Sequence, residues 1–438
     1  MPLSGDLDTP TPPESDLPDL SAALDGLEPR DLLLAVSGGS DSRAMLELVR
    51  DWAGDAAGDL LVATVDHGLR PGSAAEARCV AATCAGLGIA HRILTWTGWT
   101  GEGNLQAAAR AARRDLLSEL ARQEGRSAIL LGHTRDDQAE TVLMRLGRGA
   151  GVDGLSAMAV RQRQAGCLWI RPLLGQRRDR LRHMLQAREI SWIEDPSNED
   201  DRFLRIRLRQ AGAALDALGL TVDGLADSAA ALGSAREVLE DAALALGHAC
   251  LSETVRGEVR LAHDSYSAAR TDSRLRVLSA ALRTVGGAAY RPRQEDLARL
   301  DAALLSGGPA LPARTLAGCL VRGRGGQVEI LREPARLPDP APADQWWDGR
   351  WRLADRPEDA PDRLVIGALT AAGWRDFAPD MPSGPDCDRL ALEVAPAIWH
   401  DGKVIAAPFL AEAAGQPTPW QIVAHPRRSS VFLRLTPR

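Results

Sequence analysis

The sequence predicts an α/β protein: a parallel sheet with helices on both faces, then a mainly helical middle domain and a small mixed or β C-terminal domain. Three observations carry this. From about residue 23 to 209, short apolar runs alternate with longer stretches of helical spacing, the signature of a parallel sheet. From 210 to 335 the chain is largely Ala- and Leu-rich, and after a Pro-rich linker, 345–438 alternates like a small β domain. With 438 residues and 45% hydrophobic content, two or three domains are expected at roughly 150 residues each.

The elements follow in order. Residues 1–22 are Pro-rich and acidic and read as a disordered tail. "DLLLAVS" (31–37), "DLLVATVD" (59–66), "HRILTW" (91–96) and "SAILLGH" (127–133) are strands. Between and after them, 41–53, 73–87, 104–123 and 136–147 have helical spacing. "WIRPLL" is a further strand, 176–189 a helix, and "GEVRLA" a strand within the helical middle domain. "GCLVRGRGGQVEIL" (318–331) and "PAIWHDGKVIAAP" read as hairpins, the first turning at Arg324-Gly325-Gly326.

Composition narrows the class. No run of about 20 apolar residues and no signal-like start occur, so a soluble, cytoplasmic chain with no membrane partner is expected. Six scattered cysteines, none in a C-x-x-C pair, speak against disulfide staples and a zinc site. The net charge of −7 is not that of a basic nucleic-acid binder, but residues 161–209 hold twelve Arg against seven Asp and Glu. Lys403 is the single lysine, so nearly every basic contact is a planar fork suited to phosphate.

Polar residues gather where the predicted strands end, and in a parallel sheet that edge holds the ligand. "SGGSDS" (Ser37, Gly38, Gly39, Ser40, Asp41, Ser42) turns a strand into a helix and offers backbone N–H groups to an anion. A carboxylate at Asp41 would repel phosphate unless a cation lay between them, and Mg²⁺ resolves the conflict. Asp66 and His67 end the next strand, with Arg70 after them in "VDHGLRPGS". "GHTRDDQAET" brings His133, Asp136 and Asp137 to a helix start, with Glu140 near their face. These acids could share Mg²⁺ with Asp41 or orient an amine; Asp137 could equally pair with Thr134 as a helix cap. In "NLQAAARAARRDLL", Arg110 and Arg113 share a helical face. Arg171, Arg205 and Arg209 belong to the basic segment, whose net charge of +5 suits a polyanion.

"SGGSDS" resembles the PP-loop of the ATP-pyrophosphatase superfamily, which cleaves ATP between its α- and β-phosphates and shares an adenine-nucleotide α-hydrolase-like fold. With "VDHGLRPGS", "GHTRDDQAET", the A-R-x-x-R helix, "GLSAM" and "EDPSNEDDRFLRIRLR", the resemblance over 31–209 is to the tRNA(Ile)-lysidine synthetase family. That resemblance implies adenylation of C2–O of the wobble cytidine of the CAU-anticodon isoleucine tRNA, then attack by the amine of free L-lysine. It implies ATP and Mg²⁺ as cofactors, with Asp41 and Asp137 as metal ligands, and Ser37–Ser42, Asp66, His67 and His133 around ATP. Asp41, Asp136, Asp137, Arg110, Arg113 and Arg205 are its implied catalytic set. Arg70, Arg171, Arg205 and Arg209 are its implied tRNA contacts, and 345–438 a tRNA-interacting domain. A homodimer is left open. Ile206 departs from the family's frequent Asn. A PP-loop thiolase would need cysteines near the pocket, which are missing. A non-catalytic nucleotide-binding module would not need the acid set, and a small-molecule amide ligase would not need the Arg-rich segment.

Overall fold

A computed structural model describes residues 18–68, 72–99, 105–164, 166–194, 204–288, 290–377, 388–426 and 430–436. Arg70, Asn104 and the "DPSN" segment lie outside them. The chain forms two compact units, which divide between Arg236 and Glu237.

The first unit opens with α1 (Ser21–Leu24), already packed through Leu20 and Leu24, before the expected end of the tail. A six-stranded sheet follows, made of β1 (Leu32–Ala35), β2 (Leu61–Asp66), β3 (Ala90–Thr95), β4 (Ala128–Leu131), β5 (Arg161–Gln164) and β6 (Cys167–Ile170). Its order is β3-β2-β1-β4-β6-β5, and all neighbours are parallel except β5 against β6. The helices are α2 (Ser40–Ala53), α3 (Ser73–Gly86), α4 (Leu105–Gln123), α5 (Arg135–Leu146), α6 (Val152–Leu155), α7 (Arg178–Ala187), α8 (Leu204–Gln210) and α9 (Gly212–Ala217). α10 (Val222–Cys250) continues into the second unit.

Alternation along the strands sorts the core into two layers. Leu32, Leu34, Val62 and Leu130 pack with α2, α3 and α7, while Leu33, Leu61, Ile129 and Trp169 pack with α4. β1 feeds β2 on one side and lies beside β4 on the other, so the strand order reverses between the parallel strands β1 and β4. A ligand crevice is expected beyond their carboxyl ends, and there the "SGGSDS" turn and Gly132-His133 meet.

The antiparallel edge strand β5, "RQRQ", has no apolar alternation and was not legible as a strand. Its pairing is set by the turn into β6.

The second unit contains the helices α11 (His263–Ser267), α12 (Thr271–Gly286) and α13 (Gln294–Gly307) against a five-stranded antiparallel sheet. That sheet is built from β7 (Leu251–Glu253), β8 (Val259–Leu261), β9 (Arg314–Leu316), β10 (Cys319–Arg324) and β11 (Gln327–Arg332). Between β10 and β11, Gly325 and Gly326 take φ of +57° and +81°, which lets two residues close the hairpin. The C-terminal part holds β12 (Ala341–Pro342), β13 (Trp351–Asp355), β14 (Val365–Ala368), β15 (Pro396–His400), β16 (Lys403–Ala406) and β17 (Gln421–Ala424). Asp401-Gly402 close the second expected hairpin, β15–β16. In "WWDGRW", Trp347 and Trp351 are buried core residues and Trp346 is exposed.

Candidate active site

The turn after β1 is shaped by its own hydroxyl. Ser42 Oγ accepts from the backbone N–H groups of Ser37 and Gly38, both at 3.2 Å, and donates to the Gly39 carbonyl at 3.0 Å. Gly38 has φ +93°, a conformation that favours glycine, and a Cβ there would meet Ile193 Cδ1 at 2.5 Å. Ser42 therefore builds the loop, and it lines the cavity together with Ser37, Gly39, Ser40 and Asp41. Gly132, just after β4, packs against the same turn: a Cβ would lie 2.9 Å from Ser42 Cα.

α5 begins with a capping box. Asp137 Oδ2 accepts from the Thr134 N–H at 2.9 Å and the Thr134 hydroxyl at 3.1 Å. Its second oxygen, Oδ1, faces Arg178 at 3.4 Å. The cap is thus made by Oδ2, while Oδ1 is turned toward the arginines. Burial alone would raise the Asp137 pKa, but Arg178, His133, Arg205 and the Thr134 N–H outweigh it and hold the carboxyl below its usual range. Asp136 Oδ2 accepts from the Arg178 backbone N–H at 2.8 Å.

The arginines converge on these acids. Arg178 Nε lies 2.9 Å from Asp41, and its other nitrogens face Asp137 and Glu140 (3.5 Å). Arg205 and Arg209 grip Glu140 at 2.8 and 2.6 Å, and Arg209 lies 3.6 Å from Asp137. Arg182 Nε lies 3.3 Å from Ser40 Oγ. Burial pushes His133 down to about 4, against the pull of Asp137, so the ring is neutral near pH 7. Asp136 also has Arg177 Nε at 4.0 Å, so each of the four acids has a guanidinium nearby.

All this opens on one cavity of about 1350 Å³, whose lining includes Ser37, His67, Arg113, His133, Asp136, Asp137, Glu140, Arg178 and Arg209. His67 packs edge-on to Trp96.

Other expected residues are placed differently. Asp66 Oδ1 accepts from the Gly68 N–H at 2.9 Å and closes a local turn, so that oxygen is not offered to a nucleotide. Arg171 donates to the Ala159 carbonyl at 2.8 Å and leans on Gln162, so it stitches the start of β5 to the end of β6. Arg205 and Arg209 are spent on site acids. Arg110 is exposed on α4, outside the cavity lining. Ile206 is buried, which explains an apolar residue there.

Sequence reasoning missed Arg178. The signal was "RRDRLR" opening a helix, because cations at a helix N-terminus are disfavoured unless acids offset them.

The donors suit Mg²⁺ in kind. Mg²⁺ is commonly held by one or two carboxylates plus substrate phosphates, and Asp41 and Asp137 lie on either side of one guanidinium. Among the described residues no three His, Cys, Asp or Glu side chains form a ready-made metal cage, so substrate oxygens would complete the shell. None of the described cysteines lines the cavity.

A PP-loop domain family model matches residues 15–213. The chain is 42% identical over 397 residues to the tRNA(Ile)-lysidine synthase of Ruegeria pomeroyi, covering 90% of this chain and 92% of that protein. It is 40% identical to the protein of the same name from Mesorhizobium japonicum, covering 83% and 81%. For that of Brucella anthropi the identity is 37%, covering 88% and 87%.

Proposed function

The chain belongs to the tRNA(Ile)-lysidine synthase family and is an ATP-dependent ligase of tRNA modification, and from that premise we propose how its cavity divides the work. One observation carries the reading: the acid of the PP-loop and the acids of α5 meet at one arginine, so a nucleotide half and an amine half share one cavity.

In the first step C2–O of the wobble cytidine of the CAU-anticodon tRNA attacks the α-phosphorus of ATP, and pyrophosphate leaves. In the second, the ε-amine of free lysine attacks C2 and AMP leaves. The start of α2 directs Gly39, Ser40 and Asp41 at the phosphates. Asp41 and Asp137 would hold Mg²⁺, which neutralises charge on the departing pyrophosphate. Arg113 lies within reach of a phosphate or base from α4. A free amine of pKa about 10.4 arrives protonated, so a carboxylate helps both to bind it and to take its proton. Glu140 and Asp137 supply that surface. We assign the protein to the cytoplasm, where tRNA, ATP and free lysine occur together.

The test is incubation with ATP, labelled lysine and either the CAU-anticodon isoleucine tRNA or initiator methionine tRNA. Lysine should enter the first RNA only. Acceptance of sulfur or ammonia in its place would overturn the reading. Asp41→Asn should abolish pyrophosphate release, and unchanged release would reduce Asp41 to a helix-end charge.

A further inference from the structure

We propose that Arg178 is a positioning residue that serves as the site's internal counter-ion. It keeps the acids paired until nucleotide phosphate draws its guanidinium away, making cation and lysine binding conditional on ATP. This rests on the reading above.

The geometry is that of a cation centred among acids. Three guanidinium nitrogens face three carboxylates on two elements: Asp41 on α2, Asp137 and Glu140 on α5. The contact to Asp41 is a full charged hydrogen bond at 2.9 Å; those to Asp137 and Glu140, at 3.4 and 3.5 Å, are longer than the usual 2.7–2.9 Å. Glu140 already has Arg205 and Arg209 at 2.8 and 2.6 Å and does not depend on Arg178. Asp41 is different: among the described residues its ion-pair partner is Arg178, and its other side-chain contact is Ser40. The Arg178 side chain is 13% exposed, so it stands where an entering cation would have to sit.

The same helix face points toward the phosphate turn. Arg182, one turn beyond Arg178, lies beside Ser40, and Ser40 and Asp41 open α2. A phosphate on that turn offers the planar guanidinium two oxygens for a bidentate pair, which single-oxygen contacts to Asp41 and Asp137 do not. Once the guanidinium turns to the phosphate, Asp41 is released for Mg²⁺, and Asp137 Oδ1 keeps only the more distant Arg209 and Arg205, at 3.6 and 4.0 Å, which leaves room for an ammonium. ATP then binds before lysine, and lysine does not hold the site alone.

Two binding measurements on the full chain test this. Mn²⁺ affinity of the nucleotide-free protein is read by electron paramagnetic resonance. Lysine affinity is read by calorimetry with and without an ATP analogue bearing a methylene between the α- and β-phosphorus. Removing one positive charge from among three acids should tighten Mn²⁺ binding about tenfold in Arg178→Gln and about threefold in Arg178→Lys, whose ammonium reaches fewer carboxylates. The analogue should strengthen lysine binding about tenfold in the wild type and less than about twofold in Arg178→Gln. Mn²⁺ affinity equal to wild type in whichever variant folds overturns the proposal, as does undiminished ATP dependence of lysine binding in Arg178→Gln. A wild-type protein that binds no lysine under either condition refutes the lysine reading instead, and the Mn²⁺ measurement still decides the role of Arg178.

Discussion

Two glycines, Gly39 within the phosphate-binding turn and Gly132 packed against it, should fail in opposite ways when changed to alanine. At Gly132 a Cβ would lie 2.9 Å from Ser42 Cα and 3.0 Å from both Asp41 O and Ser42 N. Ordinary contact begins at 3.4 Å, so the neighbours must retreat by about 0.5 Å. All three are backbone atoms of the first turn of α2, so the turn moves as a body. Overpacking of this kind costs about 1–3 kcal/mol, or a melting point lower by about 3–9 °C for a unit of this size. Asp41 rides on that turn, so adenylation should fall by about tenfold, since a 1 Å misplacement costs about a hundredfold.

Gly39, by contrast, has φ −67° and no heavy atom within 4 Å of a would-be Cβ. Gly39→Ala should leave stability within about 0.5 kcal/mol. It lines the cavity, however, and a methyl group there should raise the KM for ATP about tenfold or more by keeping phosphate off the backbone. Thermal melting and ATP–pyrophosphate exchange separate the two outcomes. If Gly132→Ala melts and reacts like wild type, the close approach of β4 to α2 does not constrain the site. An unchanged KM for ATP in Gly39→Ala would mean that phosphate binds elsewhere.

Three further outcomes follow from the same geometry. Burial keeps His133 neutral down to about pH 4, while in the unfolded chain it protonates near 6.5; the stability it supports is full above 6.5 and is lost as pH falls toward 4. The loss is on the order of 3 kcal/mol, and denaturant unfolding of wild type against His133→Asn across that range should show it as a difference in slope. Glu140→Gln leaves Arg205 and Arg209 without their closest anion; the KM for lysine should rise about tenfold or more while that for ATP stays within about threefold. Arg171→Ala removes a donor to the Ala159 carbonyl, so it should cost about 1–3 kcal/mol in unfolding experiments and leave both KM values near wild type. A selective loss of tRNA affinity in that variant would restore Arg171 as an RNA contact.

What could be read from the sequence was local. The apolar runs at 32–35, 61–66 and 128–131 fix strands by themselves, and the Gly and Ser residues of 37–42 fix the turn by backbone geometry. Both hairpins were legible because Gly325-Gly326 and Asp401-Gly402 permit positive φ in sequence-adjacent residues. What stayed hidden depends on neighbours far along the chain. Arg178 meets Asp41 across 137 positions. Arg171 meets a carbonyl 12 residues earlier, only because β5 turns back antiparallel. Asp66, at a strand end beside the crevice, looked like a ligand because its use as a turn cap is settled by where Gly68 points.

The hidden contacts change what the basic segment means. A net of +5 over 161–209 reads as an RNA-facing patch if each arginine is counted as free charge. Arg178, Arg205 and Arg209 instead neutralise acids inside the cavity, Arg188 pairs with Asp51, and Arg177 pairs with Asp223. Much of the segment therefore balances charge that the chemistry itself introduces. Bringing triphosphate, a metal ion and an ammonium into one crevice needs carboxylates for the cations and guanidiniums for the phosphates, and before any substrate arrives these must satisfy one another. Asp41 in a phosphate-binding turn is one half of that arrangement, and Arg178 is the other.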